Sequence, residues 1–182
     1  MIGTKILRPN GNKQTQWETS SYDRIDEPIL TGENPDAYKN TISILEEPYN
    51  GTDQFDIEDI EIEDFTTKTI TLHFFYQCHI SSGGYANLRT RLYCGEDYVE
   101  INKSDETYGW VSISLEGIYT QAQINNAYIE FYGEVDGSGY VHLSVAYVEV
   151  EVEVSFENWV VIKLGEMDTK IDCAECPYLE TV

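Results

Sequence analysis

The two cysteines nearest the end of the chain, Cys173 and Cys176, have a spacing found in metal and redox sites. A Cys-x-x-Cys pair is half of a tetrahedral zinc site, a redox-active pair, or simply two exposed thiols. The surrounding tail holds no second pair of Cys or His ligands, which argues against a zinc site within one chain. Subunits that bring their tails together could complete the four ligands. Cys78 and Cys94 fall among alternating apolar residues, where we expect buried thiols, with a cross-strand disulfide as the alternative.

Acidic groups dominate the chemistry of the chain: 33 Asp and Glu residues stand against 11 Lys and Arg, for a net charge of −22. Two runs are dense enough to offer oxygen ligands to calcium. They are Glu149, Glu151 and Glu153, and Glu58, Asp59, Glu61, Glu63 and Asp64. The alternative is a solvated acidic face, since no calcium-loop motif accompanies either run. A chain this acidic repels phosphates, so we expect no nucleic-acid partner.

Catalytic motifs are missing from the sequence. The three histidines are His73, His79 and His142. The first two lie about 20 Å apart if they share a strand, and the third could approach one of them. No nucleophile elbow, phosphate loop or metalloprotease motif occurs. Most acids alternate with apolar residues and so face water, without the burial that raises the pKa of a general acid. We therefore expect a protein that is not an enzyme.

Aromatic side chains offer a different chemistry. Trp17, Tyr22, Tyr85 and Tyr108 fall where we expect loops. A Tyr or Trp ring presents an apolar face to a sugar ring and a polar tip to its hydroxyl groups. These four residues are therefore candidates for a glycan site. The alternative is that they plug the ends of the fold or an interface.

Alternating patterns indicate the elements that position these groups. Apolar residues recur at every second position over residues 69–80 and again over 88–94, with a Ser/Gly turn between them. This pattern predicts a β-hairpin. Further strands are predicted at residues 98–101, 110–115, 127–132 and 139–154, with a turn at 95–97. The predicted core includes Leu72, Phe74, Tyr76, Leu92 and Val145.

Two local signals refine the pattern. Thr120 and Gln123 fit a capping box, which predicts a short helix over residues 121–126. The apolar positions change from odd to even numbers near Ala146 and Tyr147, which predicts a β-bulge or a crossover there. The first 65 residues are irregular, so we expect loops and edge strands there. Many short strands and one capped helical turn indicate an all-β antiparallel sandwich.

Three separated segments carry a family resemblance. They are Ile6-Leu7-Arg8-Pro9-Asn10-Gly11 with Gln16-Trp17, Tyr22 and Ile25-Asp26-Glu27-Pro28; Phe55-Asp56-Ile57 with residues 68–78 and 89–94; and residues 120–127 with Val145-Ala146-Tyr147-Val148-Glu149-Val150. In this order they resemble small jelly-roll proteins that tailed viruses and prophages encode among virion structural genes. The resemblance implies a carbohydrate-binding-like jelly-roll β-sandwich without catalytic residues. We assign this domain to residues 1–154.

A C-terminal extension, residues 155–182, follows the domain. It contains a run suited to a β-strand: Val160, Val161, Ile162 and Leu164. Such a strand can add to the exposed sheet edge of a neighbouring subunit. We expect neither a membrane-spanning segment nor a secretory signal.

These observations favour a virion structural protein, whether a capsid decoration, tail or fibre component. We expect it to be made in the host cytoplasm and to act through contacts with other virion subunits and with copies of itself. A carbohydrate-binding module or adhesin is the alternative function.

Overall fold

Strands make up almost all of the regular structure. In the computed structural model the described residues are 2–17, 20–26, 42–44, 49–61, 65–80, 84–104, 108–137, 141–156, 159–164 and 167–172. Their strands are β1 (Ile2–Leu7), β2 (Pro9–Gln14), β3 (Ile42–Ile44), β4 (Tyr49–Ile57), β5 (Phe65–Ile80), β6 (Gly84–Cys94), β7 (Asp97–Ser104), β8 (Tyr108–Glu116), β9 (Tyr128–Gly137), β10 (Val141–Phe156), β11 (Trp159–Leu164) and β12 (Met167–Asp172). A 3₁₀ helix (Tyr22–Arg24) and one α-helix, α1 (Gln121–Ile124), complete them. No helix in these ranges is long and apolar enough to cross a membrane.

Ten of these strands form two antiparallel sheets. The first sheet has the order β1-β10-β5-β8, with the short β3 also paired to β10. The second sheet has the order β2-β4-β9-β6-β7. The buried apolar side chains of both sheets form one continuous core between them. The protein is therefore an all-β, two-sheet antiparallel sandwich with one short helix, as the sequence predicts.

The pairing of strands is nested. β6 pairs with β7, β5 with β8, β4 with β9, and β1 with β10. Successive pairs alternate between the second and the first sheet. A long double-stranded ribbon rolled up in this way has jelly-roll topology.

The predicted core is confirmed. Leu72, Phe74, Tyr76, Leu92 and Val145 are each at most 1% exposed. Phe74 on the first sheet meets Phe131 on the second edge-to-face, with ring centroids 5.5 Å apart. This is a favourable aromatic geometry, and it joins the two layers at the centre of the sandwich.

The predicted hairpin between residues 69–80 and 88–94 is wrong. Both runs are strands, but β5 lies in the first sheet and β6 in the second. The strands that pair with β5 are distant from it in sequence, because β10 and β8 occupy its two edges.

Cys78 and Cys94 are both buried, and neither forms a disulfide. Burial raises the pKa of the Cys94 thiol to about 11.

Two local predictions are confirmed. The Thr120 hydroxyl accepts a hydrogen bond from the Gln123 backbone N–H, and the Gln123 side chain accepts one from the Thr120 N–H. The helix ends at Ile124, two residues earlier than predicted. The strand register shifts between Ala146 and Glu149, and between them Tyr147 has a positive φ of 49°.

Strands near the start of the chain agree with the predictions in part. β1 and β2 lie at sheet edges, as expected, whereas β4 lies inside the second sheet between β2 and β9.

The apolar run of the C-terminal extension is a strand, as predicted. It belongs to β11, which pairs antiparallel with β12, a strand that was not predicted. Together they form a two-stranded sheet. The predicted thiol pair, Cys173 and Cys176, lies outside the described residues.

Candidate functional site

The solvent-facing side of the second sheet, here called the outer face, holds a regular array of polar and aromatic residues. Alternation along each strand sends one set of side chains into the core and the other set outward. The register places the outward residues of β4, β9, β6 and β7 in rows. The rows are Asp56–Tyr128–Tyr93–Tyr98, Gln54–Glu130–Arg91–Glu100, Thr52–Tyr132–Arg89–Asn102 and Asn50–Glu134–Asn87–Ser104.

The tyrosine row consists of Tyr128, Tyr93 and Tyr98. Tyr128 and Tyr93 stack with centroids 4.5 Å apart and ring planes 11° apart, and the Tyr98 centroid lies 5.4 Å from that of Tyr93. The Lys13 ammonium lies 4.3 Å from the centroid of Tyr128 and closes one end of the row. Tyr98 forms the other end and is 54% exposed. The row therefore offers one accessible ring beside two supported rings.

The charged row consists of Gln54, Glu130, Arg91 and Glu100. Arg91 donates from Nε to Glu100 Oε2 over 2.5 Å and from Nη1 to Glu130 Oε1 over 3.4 Å. Gln54 Nε2 donates to the second oxygen of Glu130 over 2.8 Å. Asn102 Nδ2 from the next row donates to Glu100 Oε1 over 3.1 Å. Charge-assisted hydrogen bonds of this kind fix side chains in one geometry.

These contacts and the burial of the side chains determine which groups of the outer face are ionised. The hydrogen bond from Arg91 lowers the pKa of Glu100, with further help from Asn102. The same bond to Glu100 raises the pKa of Arg91. Burial raises the pKa of Tyr128. At neutral pH the charged row is therefore ionised at Arg91 and Glu100, and Tyr128 keeps its hydroxyl proton.

The four aromatic residues proposed from sequence lie in different environments. Trp17 is 4% exposed, and its indole N–H donates to the Gly51 carbonyl oxygen over 3.1 Å, so its ring is not presented to solvent. Tyr22 is half-buried and packs against the core. Tyr85 lies on β6 rather than in a loop and is 44% exposed on the outer face. Tyr108 begins β8, also a strand.

The histidines lie in the first sheet. His73 Nδ1 is hydrogen-bonded to Ser112 Oγ at 2.8 Å, and its Nε2 lies 3.5 Å from Glu151. His142 lies directly opposite His79 across β10 and β5. Burial, reinforced by His79, lowers the pKa of His142.

Several of the acids proposed as calcium ligands have basic or backbone partners instead. Glu149 accepts from Arg8 Nη2 over 3.1 Å, and Glu153 lies 4.0 Å from Lys68. Glu58 accepts from the Arg8 backbone N–H over 2.9 Å. Within the described ranges no group of three or more His, Cys, Asp or Glu residues is arranged to hold a metal ion. Glu63 and Asp64 lie outside those ranges.

Sequence reasoning missed most residues of the outer face. The missed aromatics are Tyr93, Tyr98, Tyr128 and Tyr132, all on strands. Their signal is present in the sequence, because each tyrosine occupies a position of the polar, outward-facing set. Tyr98 meets Tyr93 through the pairing of β6 with β7. Tyr128 and Tyr132 join them through the pairing of β9 with β6, which no local pattern reveals.

The architecture defines a class, the jelly-roll sandwich. No family model and no curated protein matches the chain, so the resemblance to the tailed-virus family stays a prediction. Among solved structures, the chain is similar to one described as Family 16 Carbohydrate Binding Module-2, with a TM-score of 0.35 and 9% sequence identity. The match covers 62% of this chain and 76% of that chain. This likeness concerns the fold and extends to no function of this chain.

Proposed function

We propose that this protein is a non-catalytic glycan-binding module whose ligand lies on the outer face of the second sheet. The observation that carries the proposal is the tyrosine row next to a charged row that is already hydrogen-bonded. An exposed ring at Tyr98 can pack against a sugar ring, while amide, carboxylate and guanidinium groups reach its hydroxyls.

Preorganisation supports this function. Arg91 is fixed by three side chains, and the tyrosine rings support one another. Groups that are ordered before binding lose less conformational entropy when a ligand arrives. A face built on strands also holds its groups more precisely than one built on loops.

The ionisation of the face supports binding rather than hydrolysis. Glycoside hydrolysis needs a carboxyl group with a raised pKa to act as the general acid. Arg91 instead lowers the pKa of Glu100. Glu130 is held by Gln54 and Arg91, so both of its oxygens are in use.

Affinity electrophoresis through gels containing soluble polysaccharides, followed by calorimetry, tests this function. We expect binding by the unmodified protein and a loss of about tenfold in Tyr98→Ala, equivalent to about 1.4 kcal/mol. Trp110→Ala is the matched control, because Trp110 is a 44% exposed aromatic residue on the first sheet. Failure to bind any polysaccharide contradicts the function. Binding that depends on Trp110 and not on Tyr98 places the site elsewhere.

A role as a virion structural protein is our second proposal. It is supported by the C-terminal extension, where β11 and β12 form a sheet of only two strands. A two-stranded sheet is marginally stable alone, and a strand added from a neighbouring subunit would stabilise it. Val160, Val161, Ile162 and Leu164 are the residues proposed to make that contact. Jelly rolls serve both capsid proteins and lectins, so the two proposals are compatible.

A further inference from the structure

Two arginines on β6 point to the same face but have different surroundings. Arg91 donates hydrogen bonds to Glu100, to Glu130 and to the Tyr93 hydroxyl. Truncating it would leave Glu130, which is 8% exposed, without its ionic partner. Arg91 is therefore a positioning residue of the outer face.

Arg89, two residues earlier, is positioned by neighbouring side chains, but its guanidinium donors are not used by them. Its guanidinium carbon lies 4.7 Å from the centroid of the Tyr132 ring, and its Nε is 4.0 Å from Glu100 Oε2. Its guanidinium makes no hydrogen bond with any side chain that the structure describes, and its Nε is buried without a hydrogen-bond partner. The side chain is 34% exposed. The ring thus fixes the plane of the guanidinium, whose outer nitrogen atoms remain available to a ligand.

The charge around Arg89 selects against anions. The outer face carries four carboxylates in its rows, Asp56, Glu100, Glu130 and Glu134, against Arg89, Arg91 and the adjacent Lys13. The whole chain has a net charge of −22. The positive charge of Arg89 is already partly balanced by Glu100. An acidic polysaccharide would meet like charge across the rest of the face, which is costly. A guanidinium can also donate, through two parallel N–H groups, to two neighbouring neutral oxygens.

We propose that the ligand is an uncharged polysaccharide and that Arg89 is its specificity-determining residue, donating to two neighbouring hydroxyl groups of one sugar. This inference rests on the proposed glycan-binding function. It assigns a role to one side chain and excludes carboxylated polysaccharides as the main ligands.

The test compares uncharged polysaccharides (arabinoxylan, glucomannan, mixed-linkage β-glucan) with carboxylated ones (alginate, polygalacturonate). We expect binding to at least one uncharged polymer, weakened about tenfold by both Arg89→Gln and Arg89→Lys, because a lysine lacks the planar pair of donors. Lys68→Gln, which removes one charge from the first sheet, should leave the affinity unchanged. Affinity should also be constant from about 0.1 M to about 1 M NaCl, over which the screening length falls from about 10 Å to about 3 Å.

Three results overturn the inference while leaving the glycan function intact. They are binding restricted to carboxylated polymers, affinity that falls as salt rises, and full affinity in Arg89→Lys. Absence of binding to either class of polymer refutes the proposed function itself. Thermal unfolding of each variant identifies any loss that comes from misfolding.

Discussion

Asp53 is the most deeply buried carboxylate among the described residues, and it organises the beginning of the chain. It lies on the inward side of β4 with no exposed surface. Its Oδ1 accepts hydrogen bonds from the backbone N–H groups of Gln16 and Trp17, over 2.6 Å and 3.0 Å. These bonds hold the Trp17 ring against the core. Burial raises the pKa of Asp53, against the opposing effect of the Ser20 hydroxyl and the two backbone donors.

A pH-dependent stability follows from the raised pKa of Asp53. The folded protein binds the Asp53 proton more tightly than the unfolded chain does, so this residue contributes most below its ordinary pKa of 3.8. The contribution is lost as the pH rises through the folded pKa. We expect Asp53→Asn to raise the free energy of unfolding at pH 7, because the amide still accepts from Gln16 and Trp17 without a buried charge. The gain should shrink as the pH approaches 3.8.

Urea unfolding of both proteins at neutral and acidic pH measures this difference. Asp56→Asn is the control, because Asp56 lies on the outward side of the same strand, 3.6 Å from Lys13. A gain that does not change with pH, or a loss at pH 7, would show that ionised Asp53 is well accommodated.

Single residues of the candidate site were only partly predictable. The sequence predicts that exposed aromatic side chains form the site, and Tyr85, one of the residues it names, is exposed. It places Trp17 in the same group, although Asp53 and Gly51 hold that residue inside. Burial of a loop aromatic depends on distant hydrogen-bonding partners, which residue type and spacing do not reveal.

At the scale of elements, strand positions were predictable and strand partners were not. Alternation is a property of one segment, so β5 and its buried side could be read directly from residues 69–80. The partner of β5 could not, because a turn-rich connection joins two strands of one hairpin or two strands of different sheets equally well. Only the long-range ladders of β5 with β10 and β8 decide between these possibilities.

The capping box of α1 is a local signal with a long-range effect. Asn125 caps the C-terminal end of the helix, and its side-chain oxygen accepts a hydrogen bond from the Ile60 backbone N–H over 2.9 Å. We expect Thr120→Ala to lower the free energy of unfolding by about 0.5–2 kcal/mol, the usual cost of losing an N-cap oxygen. Thr120→Ser should lose much less, because it keeps the hydroxyl. Chemical denaturation measures both, and equal losses would show that the hydroxyl has no capping role.

The C-terminal extension can be removed without removing a sandwich strand, because β10 ends at Phe156. We expect a chain ending at Phe156 to keep its β-type circular dichroism and its glycan binding but to lose self-association in sedimentation velocity. Cys173→Ser with Cys176→Ser should weaken association only if metal or disulfide joins the tails. Normal association of the shortened chain would contradict the assembly proposal and leave the glycan proposal untouched.

Charge is the dominant property of the whole molecule. With a net charge of −22, repulsion among carboxylates acts over the entire surface, while the ion pairs within the described residues are local. Added salt weakens long-range repulsion more than close contacts. We therefore expect the melting temperature to rise between about 0.01 M and about 0.1 M NaCl, where the screening length falls from about 30 Å to about 10 Å.

Differential scanning calorimetry measures this rise, with sucrose at equal osmolality as the uncharged control. Light scattering in the same salt series should show stronger association. A melting temperature that falls with salt would mean that ion pairs such as Arg91–Glu130 outweigh the repulsion.

The nested strand pairing also sets an order of folding. β6 and β7 are joined by a short turn at Gly95, whose φ of +64° suits glycine. Each ladder that forms shortens the loop that the next ladder must close, from β5–β8 to β4–β9 and finally β1–β10. We infer that the ladders form in order from the middle of the chain outward. Each of the four nested ladders contains β7 or a later strand, so none can begin until residues after Asp97 have left the ribosome. The outer face needs only β4, β6, β7 and β9, so it is complete before the two ends of the domain meet.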